Sequence, residues 1–355
     1  WGFPPRPRSI KTRVGNKVLG LRMKKSLRLA AVLYILTCCV ASGLESQATV
    51  ESEFRQLGHK RLINTKLITS TISESLNDRA ESLMIAQFPL PEISDPADKK
   101  RFDQVMEYAI ANHLSERLLP DIMQAIAQQF LGASYKAHLL DQASQETLVI
   151  TLNKFDCVLF VETILALARG IAVKDYSQQT FVNHLRDQRY GDGNLNGYCS
   201  RLHYFSQWID DNQRRGTVKN IALDLGGVSR QKTLNYMSKH RGKYPSLVRY
   251  ESNYQCIVAM EANLKQTTVN FIPHDQIRKA YNQLQPGDII GIATTIPGLD
   301  VTHTGLVYRT ADGNIGFIHA SPAGRVTIAR DLQRYARHVR HSLGIVVARP
   351  VDPGF

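Results

Sequence analysis

The stretch from Val158 to Arg169 constrains this chain most. Nine apolar side chains (Val158, Leu159, Phe160, Val161, Ile164, Leu165, Ala166, Leu167 and Ala168) crowd into it at helical spacing. A helix that is apolar on nearly every side has to be buried. The residues just before it, Asn153-Lys154-Phe155-Asp156-Cys157, are mostly polar, and Asp156 or Asn153 can cap the helix. The spacing thus predicts a buried helix with Cys157 at or near its first turn. A thiol attacks as its thiolate, and its ordinary pKa is about 8.5. A helix N-terminus, with roughly half a positive charge and unpaired N–H groups, favours the thiolate. A lone Cys is more often a small core residue. The helix-start placement, together with two histidines farther along, makes Cys157 the candidate nucleophile.

The rest of the chain reads as helices first and strands last. From Lys99 to Phe130 apolar residues recur at helical spacing, and Pro120 divides the run into two helices ending near Leu131-Gly132. Thr147–Leu152 reads as a short β-type run. Residues 175–285 are mixed, with Gly-rich turns at 191–197 and 226–227 and an amphipathic helix through Leu202, Phe205, Trp208 and Ile209. Pro286-Gly287-Asp288 turns into strands expected at Ile289–Thr294, Thr302–Tyr308, Ile315–Ser321, Val326–Ile328 and Leu343–Ala348. One compact unit of this kind is an α+β domain.

Histidines fall in two of those strands. His303 lies in Val301-Thr302-His303-Thr304-Gly305 and His319 in Phe317-Ile318-His319-Ala320-Ser321, with turn residues at Thr310–Gly313 between them. A hairpin centred on 311 would set the two directly opposite each other, Cβ atoms roughly 4.5–5.5 Å apart on one face. A one-residue slip would send them to opposite faces. A base and a second group that fixes its tautomer are what a Cys nucleophile needs.

The net charge of +13 at first suggests an anionic partner. Its distribution removes that reading. Residues 1–44 hold nine Lys or Arg and no Asp or Glu, and without them 35 basic residues face 31 acidic ones. No nucleic-acid partner is expected. Met23 starts a basic run followed by apolar residues 29–41 and then Ser42-Gly43. That is the pattern of a secretory signal peptide over 23–43, with an apolar core short of the roughly 20 residues of a membrane span. Residues 1–22 read as lying upstream of the natural start, 44–97 as a polar lead-in, and 98–350 as the functional domain. The membrane then matters only through the signal or an uncleaved anchor; a lipid anchor is not expected, because Thr37 and Cys38 precede the candidate cysteines. The expected location is the periplasm or another extracytoplasmic space. Of the remaining cysteines 157, 199 and 256, the odd count leaves at least one free thiol and the pairing of Cys199 with Cys256 open.

With these residues in view, the chain resembles the N-acetylmuramoyl-L-alanine amidase-like branch of the NlpC-type, papain-like cell-wall peptidases. Leu131-Gly132-Ala133-Ser134-Tyr135, the segment 153–162 around Cys157, Gly298–Gly305 around His303 and Phe317–Ser321 around His319 carry the resemblance, with Ser200–Tyr204 and Tyr236–His240 between them. It covers roughly residues 98–350. It implies a papain-like fold with a large helical insertion, Cys157 as nucleophile, His303 as base and His319 as orienter. It also implies that Tyr135 lies near the nucleophile and helps hold an oxyanion. Arg201 and Tyr204 are candidates for binding a substrate carboxylate or sugar, against surface and packing roles. Ala133-Ser134 stands where relatives often carry Thr-Pro, and Leu159 where many carry Thr.

The reaction implied is hydrolysis of an amide in peptidoglycan or muropeptide fragments, foremost the muramoyl–L-Ala bond, through a thioester and without cofactor or metal. A D-Glu–diamino-acid endopeptidase of the same fold is the alternative. A zinc hydrolase using Cys157, His303 and His319 has no CxxC or HExxH motif behind it. A non-catalytic wall-binding module would have no use for the Cys/His/His set.

Overall fold

The computed structural model describes residues 92–141 and 145–354. The segments 1–22 and 23–43, and all but the end of 44–97, lie outside the described residues. In chain order the elements are helices α1 (Pro96–Ala111) and α2 (Leu119–Gln129), strands β1 (Ser134–Tyr135) and β2 (Lys154–Phe155), and helices α3 (Cys157–Ala172), α4 (Gln178–Arg189) and α5 (Phe205–Arg214). There follow β3 (Val218–Asn220), β4 (Val228–Lys232), helices α6 (Tyr236–Lys239), α7 (Pro245–Arg249) and α8 (Glu251–Asn263), then β5 (Thr267–Pro273) and β6 (Ile289–Thr294). Strands β7 (Val301–Arg309), β8 (Ile315–Ala320) and β9 (Val326–Ala329), helix α9 (Leu332–His338) and strand β10 (Ser342–Pro350) complete it. The fold is α+β, built on an antiparallel sheet of order β4-β5-β10-β6-β7-β8-β9, with β3 also on β10. Among the described residues no helix is long and apolar enough to cross a membrane.

Helix α3 forms where the apolar run demanded it, and thirteen of its sixteen residues are buried. Each large apolar side chain so removed from water contributes roughly 1.5–3 kcal/mol. The helix packs on α2 and α4 and against β7 and β8. One face of the sheet, through residues such as Leu306, Ile318 and Val346, joins the core of α1–α5. The alternate residues, Val307, Phe317 and Val347 among them, pack beneath α9. Pro120 sits in the first turn of α2, where a missing N–H costs nothing.

Thr147–Leu152 is not a strand, contrary to its β-type composition. Side chains satisfy its main chain instead. Asp98 accepts from Leu152 N (2.8 Å), Arg189 donates to Val149 O (2.6 Å), and Tyr190 donates to Thr147 O (3.1 Å). Arg189 also donates from Nε to Glu162 Oε2 at 2.7 Å, both side chains buried, which ties the loop to the middle of α3. Breaking such a buried pair from one side costs about 3–5 kcal/mol. The stretch read as mixed, 175–285, holds three further strands of the sheet. It also holds a small module with its own apolar cluster of Tyr198, Tyr204, Tyr236, Met237, Leu247 and Ile257. Cys199 and Cys256 form a disulfide across this module, and Cys157 is the free thiol among the described residues.

The β7–β8 hairpin corrects the expected register. Leu306 pairs with Ile318 and Arg309 with Ile315, so the turn is the five residues 310–314 and its centre is 312. Continued in register, Gly305 rather than His303 stands opposite His319. The displacement is two residues, which keeps both histidines on one face as diagonal neighbours. Gly305 makes this possible. A Cβ there would lie 2.6 Å from Ile318 O and 2.7 Å from His319 Cβ. Gly305→Ala is expected to destabilise the domain by roughly 1–3 kcal/mol through overpacking and to spread the two strands. Denaturant titration with circular dichroism checks it, and a midpoint equal to the wild type would contradict the packing described.

Candidate active site

Cys157 is the first residue of α3, and its side chain is buried. Asp156 caps the helix, accepting from Val158 N (3.0 Å) and Leu159 N (2.8 Å) through one carboxylate oxygen. The cap thus takes up two of the free N–H groups and sets a negative charge beside the thiol. The Thr304 main chain, next to His303 on β7, hydrogen-bonds the sulfur. The sign of the thiol's shift is opposite to the one the helix start alone predicts. Burial pushes the Cys157 pKa up, Asp156 adds to the rise, and the Thr304 bond opposes it.

His303 and His319 meet edge to face, ring centroids 4.8 Å apart, with Nε2 of His303 2.7 Å from Nδ1 of His319. Both are almost wholly buried. Burial holds His319 down at about 4. Burial and then the facing His319 hold His303 well below the usual range for histidine. The two rings therefore rest neutral near pH 7, sharing one hydrogen bond. Phe317 packs flat against His319 at 4.8 Å.

Tyr135 is placed by β1, which pairs in parallel with β2 and sets Tyr135 beside Phe155, two residues before Cys157. Tyr135 N also donates to Gly324 O (2.8 Å). Its hydroxyl is buried with no hydrogen-bond partner among the described residues. Burial and then the neighbouring Cys157 raise its pKa far above that of a free phenol. It remains a donor at any working pH, close enough to the thiol to feel its charge.

A cleft of about 800 Å³ opens at His303 and is lined also by Tyr236, His240, Ile296, Pro297, Tyr335 and Arg340. A smaller pocket of about 110 Å³ lies on the Asp156 side and is lined by Arg201, Asp141, Tyr198 and Trp208. Arg201 donates to Asp141 (3.0 Å) and lies 3.4 Å from Glu146, so its charge is matched by protein carboxylates. Tyr204 is buried, and its hydroxyl donates to Glu261 at 2.6 Å; it lines neither cavity. The structure thus sets Tyr135 near Cys157 and pairs His303 with His319, with the Thr304 main chain between the thiol and the pair, while Arg201 and Tyr204 are set in polar contacts of the fold. Sequence reasoning passed over Tyr335, whose ring lies 4.8 Å from that of His319. The signal available was Asp331, which caps the helix carrying it.

No curated protein matches the chain. Among solved structures, it is similar to an N-acetylmuramoyl-L-alanine amidase from Bacteroides uniformis ATCC 8492. That likeness has 30% identity and a TM-score of 0.62, over 66% of this chain and 99% of that one. A putative xylanase from Bacteroides fragilis is 31% identical with a TM-score of 0.56, over 63% of this chain and 98% of that one. A protein from Legionella pneumophila str. Philadelphia 1, at 20% identity and a TM-score of 0.56 over 72% of this chain and 94% of that one, shares the fold. The AmiA-like family model matches residues 125–345, the span that carries α3, both histidine strands and the cleft walls, and the chain belongs to this N-acetylmuramoyl-L-alanine amidase-like family.

Proposed function

We propose that this protein is an exported cysteine amidohydrolase that cleaves the amide between N-acetylmuramoyl and L-Ala in peptidoglycan or its fragments. We assign it to the NlpC-type, papain-like superfamily, with residues 98–350 as its working domain. The observation that carries the reading is the buried His303–His319 hydrogen bond on a strand whose next residue, Thr304, bonds the sulfur of Cys157. The family and the similar amidase support the substrate. The pattern at 23–43 supports export, which puts the protein where that substrate is.

In this reading His303 Nε2–H donates to Nδ1 of His319, which leaves a lone pair on His303 Nδ1 for the thiol proton. Thiol and imidazole rest neutral, because burial opposes charge on both. As the carbonyl carbon arrives, the S–H proton passes to His303 and the sulfur bonds to that carbon. The carbonyl electron pair moves onto oxygen, where the unpartnered Tyr135 hydroxyl can donate. His303 returns the proton to the nitrogen of L-Ala, the C–N bond breaks and the peptide leaves a thioester. Water, deprotonated by the same imidazole, adds to the thioester, and the acid and free thiol are restored.

Three outcomes are expected. Wild-type full-length protein incubated with muropeptides should release free stem peptide from the sugar by mass spectrometry, and Cys157→Ala should release none. Cleavage inside the stem would keep the thiol chemistry and move the bond to the D-Glu–diamino-acid link. Loss of activity to EDTA but not to iodoacetamide would turn the reading to a metal hydrolase. Tyr135→Phe should lower kcat about 10²-fold with KM little changed; an unchanged kcat would remove the hydroxyl from the mechanism. Because burial lowers both imidazole pKa values, the base stays neutral well into acid. The acid limb of kcat/KM should therefore fall below the ordinary histidine value of about 6.5. A limb at or above that value would contradict a buried pair.

A further inference from the structure

We propose that Tyr335 is a positioning residue: its ring roofs the His303–His319 pair on the cleft side and keeps water from the hydrogen bond between them. This rests on the reading of His303 as base and goes beyond it, because Tyr335 belongs to none of the segments that carry the family resemblance around Cys157, His303 and His319.

The geometry of the roof is specific. The Tyr335 ring centroid lies 4.8 Å from that of His319, 4.9 Å from that of Phe317 and 6.1 Å from that of His303. His303 and Tyr335 both line the cleft, and His319 does not. With Phe317 flat on one side of His319 and Tyr335 tilted at 59° on another, His319 is left 2% exposed beside an open cleft. Remove the Tyr335 ring and water from the cleft reaches the imidazoles.

The helix that carries Tyr335 is only seven residues long, too short to hold itself in water. It is pinned by side chains from outside. Asp331 accepts from Arg334 N (2.7 Å) and from Arg278 and Tyr281 (2.5 and 3.2 Å). Tyr281 also accepts from Gln333 N (2.8 Å), and Gln333 accepts from Arg278 Nε (3.0 Å). Leu332 and Ala336 are sunk in the core. That much anchoring on a single short helix fixes the one aromatic side chain it presents to the histidines.

Several titratable groups bear on the pair. Cys157 bonds to Thr304 beside His303, and Tyr335 faces both rings. Tyr135 and Asp156 act through the thiol. His240, Arg340 and His341 share the cleft with His303. Burial and then Cys157 raise the pKa of Tyr335 itself, so its phenol stays neutral beside the pair.

The test uses full-length wild type, Tyr335→Phe and Tyr335→Ala, with folding checked by near-UV circular dichroism. Histidine ring NMR, following the titration of His303 and His319, needs no substrate. In Tyr335→Ala the titration of His319 should rise from about 4 toward the ordinary value of about 6.5, while Tyr335→Phe, which keeps the ring, should leave it in place. The acid limb of kcat/KM should move the same way in Tyr335→Ala, with kcat reduced and KM little changed. A Tyr335→Ala variant whose histidines titrate as in wild type overturns the proposal. So does a Tyr335→Phe variant that shifts them as far as Tyr335→Ala does. Should Tyr335→Ala not fold, Tyr335→Leu gives the same comparison. If wild type hydrolyses no muropeptide, the proposed reaction fails while the NMR arm still decides the roof.

Discussion

Everything around the candidate site depends on one contact, the 2.7 Å hydrogen bond between His303 Nε2 and His319 Nδ1. Two neutral imidazoles out of water can share a single proton donor in only two ways. Each choice of tautomer on one ring dictates the other. Burial keeps both rings unprotonated and so preserves that choice. The bond needs the rings to be diagonal across β7 and β8, which needs a residue without a side chain opposite His319. Gly305 is that residue. The ladder, the glycine and the aromatic neighbours thus serve one proton position, and a strand pairing shifted by one residue would dismantle it.

The thiol is held by a different balance. The first turn of a helix favours a thiolate, yet Asp156 spends two of the N–H groups on its own carboxylate and faces the sulfur with negative charge. Burial adds to this in the same direction. The helix dipole, worth about 0.3–1 kcal/mol near the surface, is the smaller effect, and one carboxylate can offset it. In the proposed mechanism, activation therefore falls to proton transfer at the moment of attack. A neutral buried base suits that better than a standing ion pair, whose two charges would both have to be desolvated.

Much of this was legible from the sequence, and what was not has physical reasons. The apolar run after Cys157 announced α3, and the alternating strands at 289–348 fell where patterning put them, because burial against one core dictates both. The histidines were expected directly opposite each other if the hairpin centred on 311, with a one-residue slip left open, and the exact offset depends on turn length. The Thr310–Gly313 signals allow two registers that differ by two residues, and only packing at Gly305 distinguishes them. Thr147–Leu152 misled because β-type composition says that side chains fit a pleated surface, not that a partner strand exists. Tyr135 and Tyr335 approach Cys157 from positions 22 residues before it and 178 after it. No local pattern could join them, so Tyr135 came from family resemblance alone and Tyr335 from the folded structure.

The small module built from residues 198–204 and helices α6–α8 shows how distant supports reach the cleft. Its disulfide joins Cys199, just before the Ser200–Tyr204 segment, to Cys256 on α8. Farther along α8, Glu261 accepts from Tyr204 and from the N–H groups of Met237 and Ser238 (2.6, 3.1 and 3.2 Å). That buried carboxylate acts as a cap for α6, a helix of one turn that has no cap of its own. Tyr236 and His240, stacked at 4.0 Å, then stand as one wall of the cleft. Across from them Lys232, at the end of β4, donates to the carbonyls of Thr294, Ile296 and Leu299 and holds the loop that brings Ile296 and Pro297 to the same cleft. Tyr204 therefore affects the cleft without touching it. Its substitution would act on substrate through α6, so a loss of binding in a Tyr204 variant would not by itself place that tyrosine against the substrate.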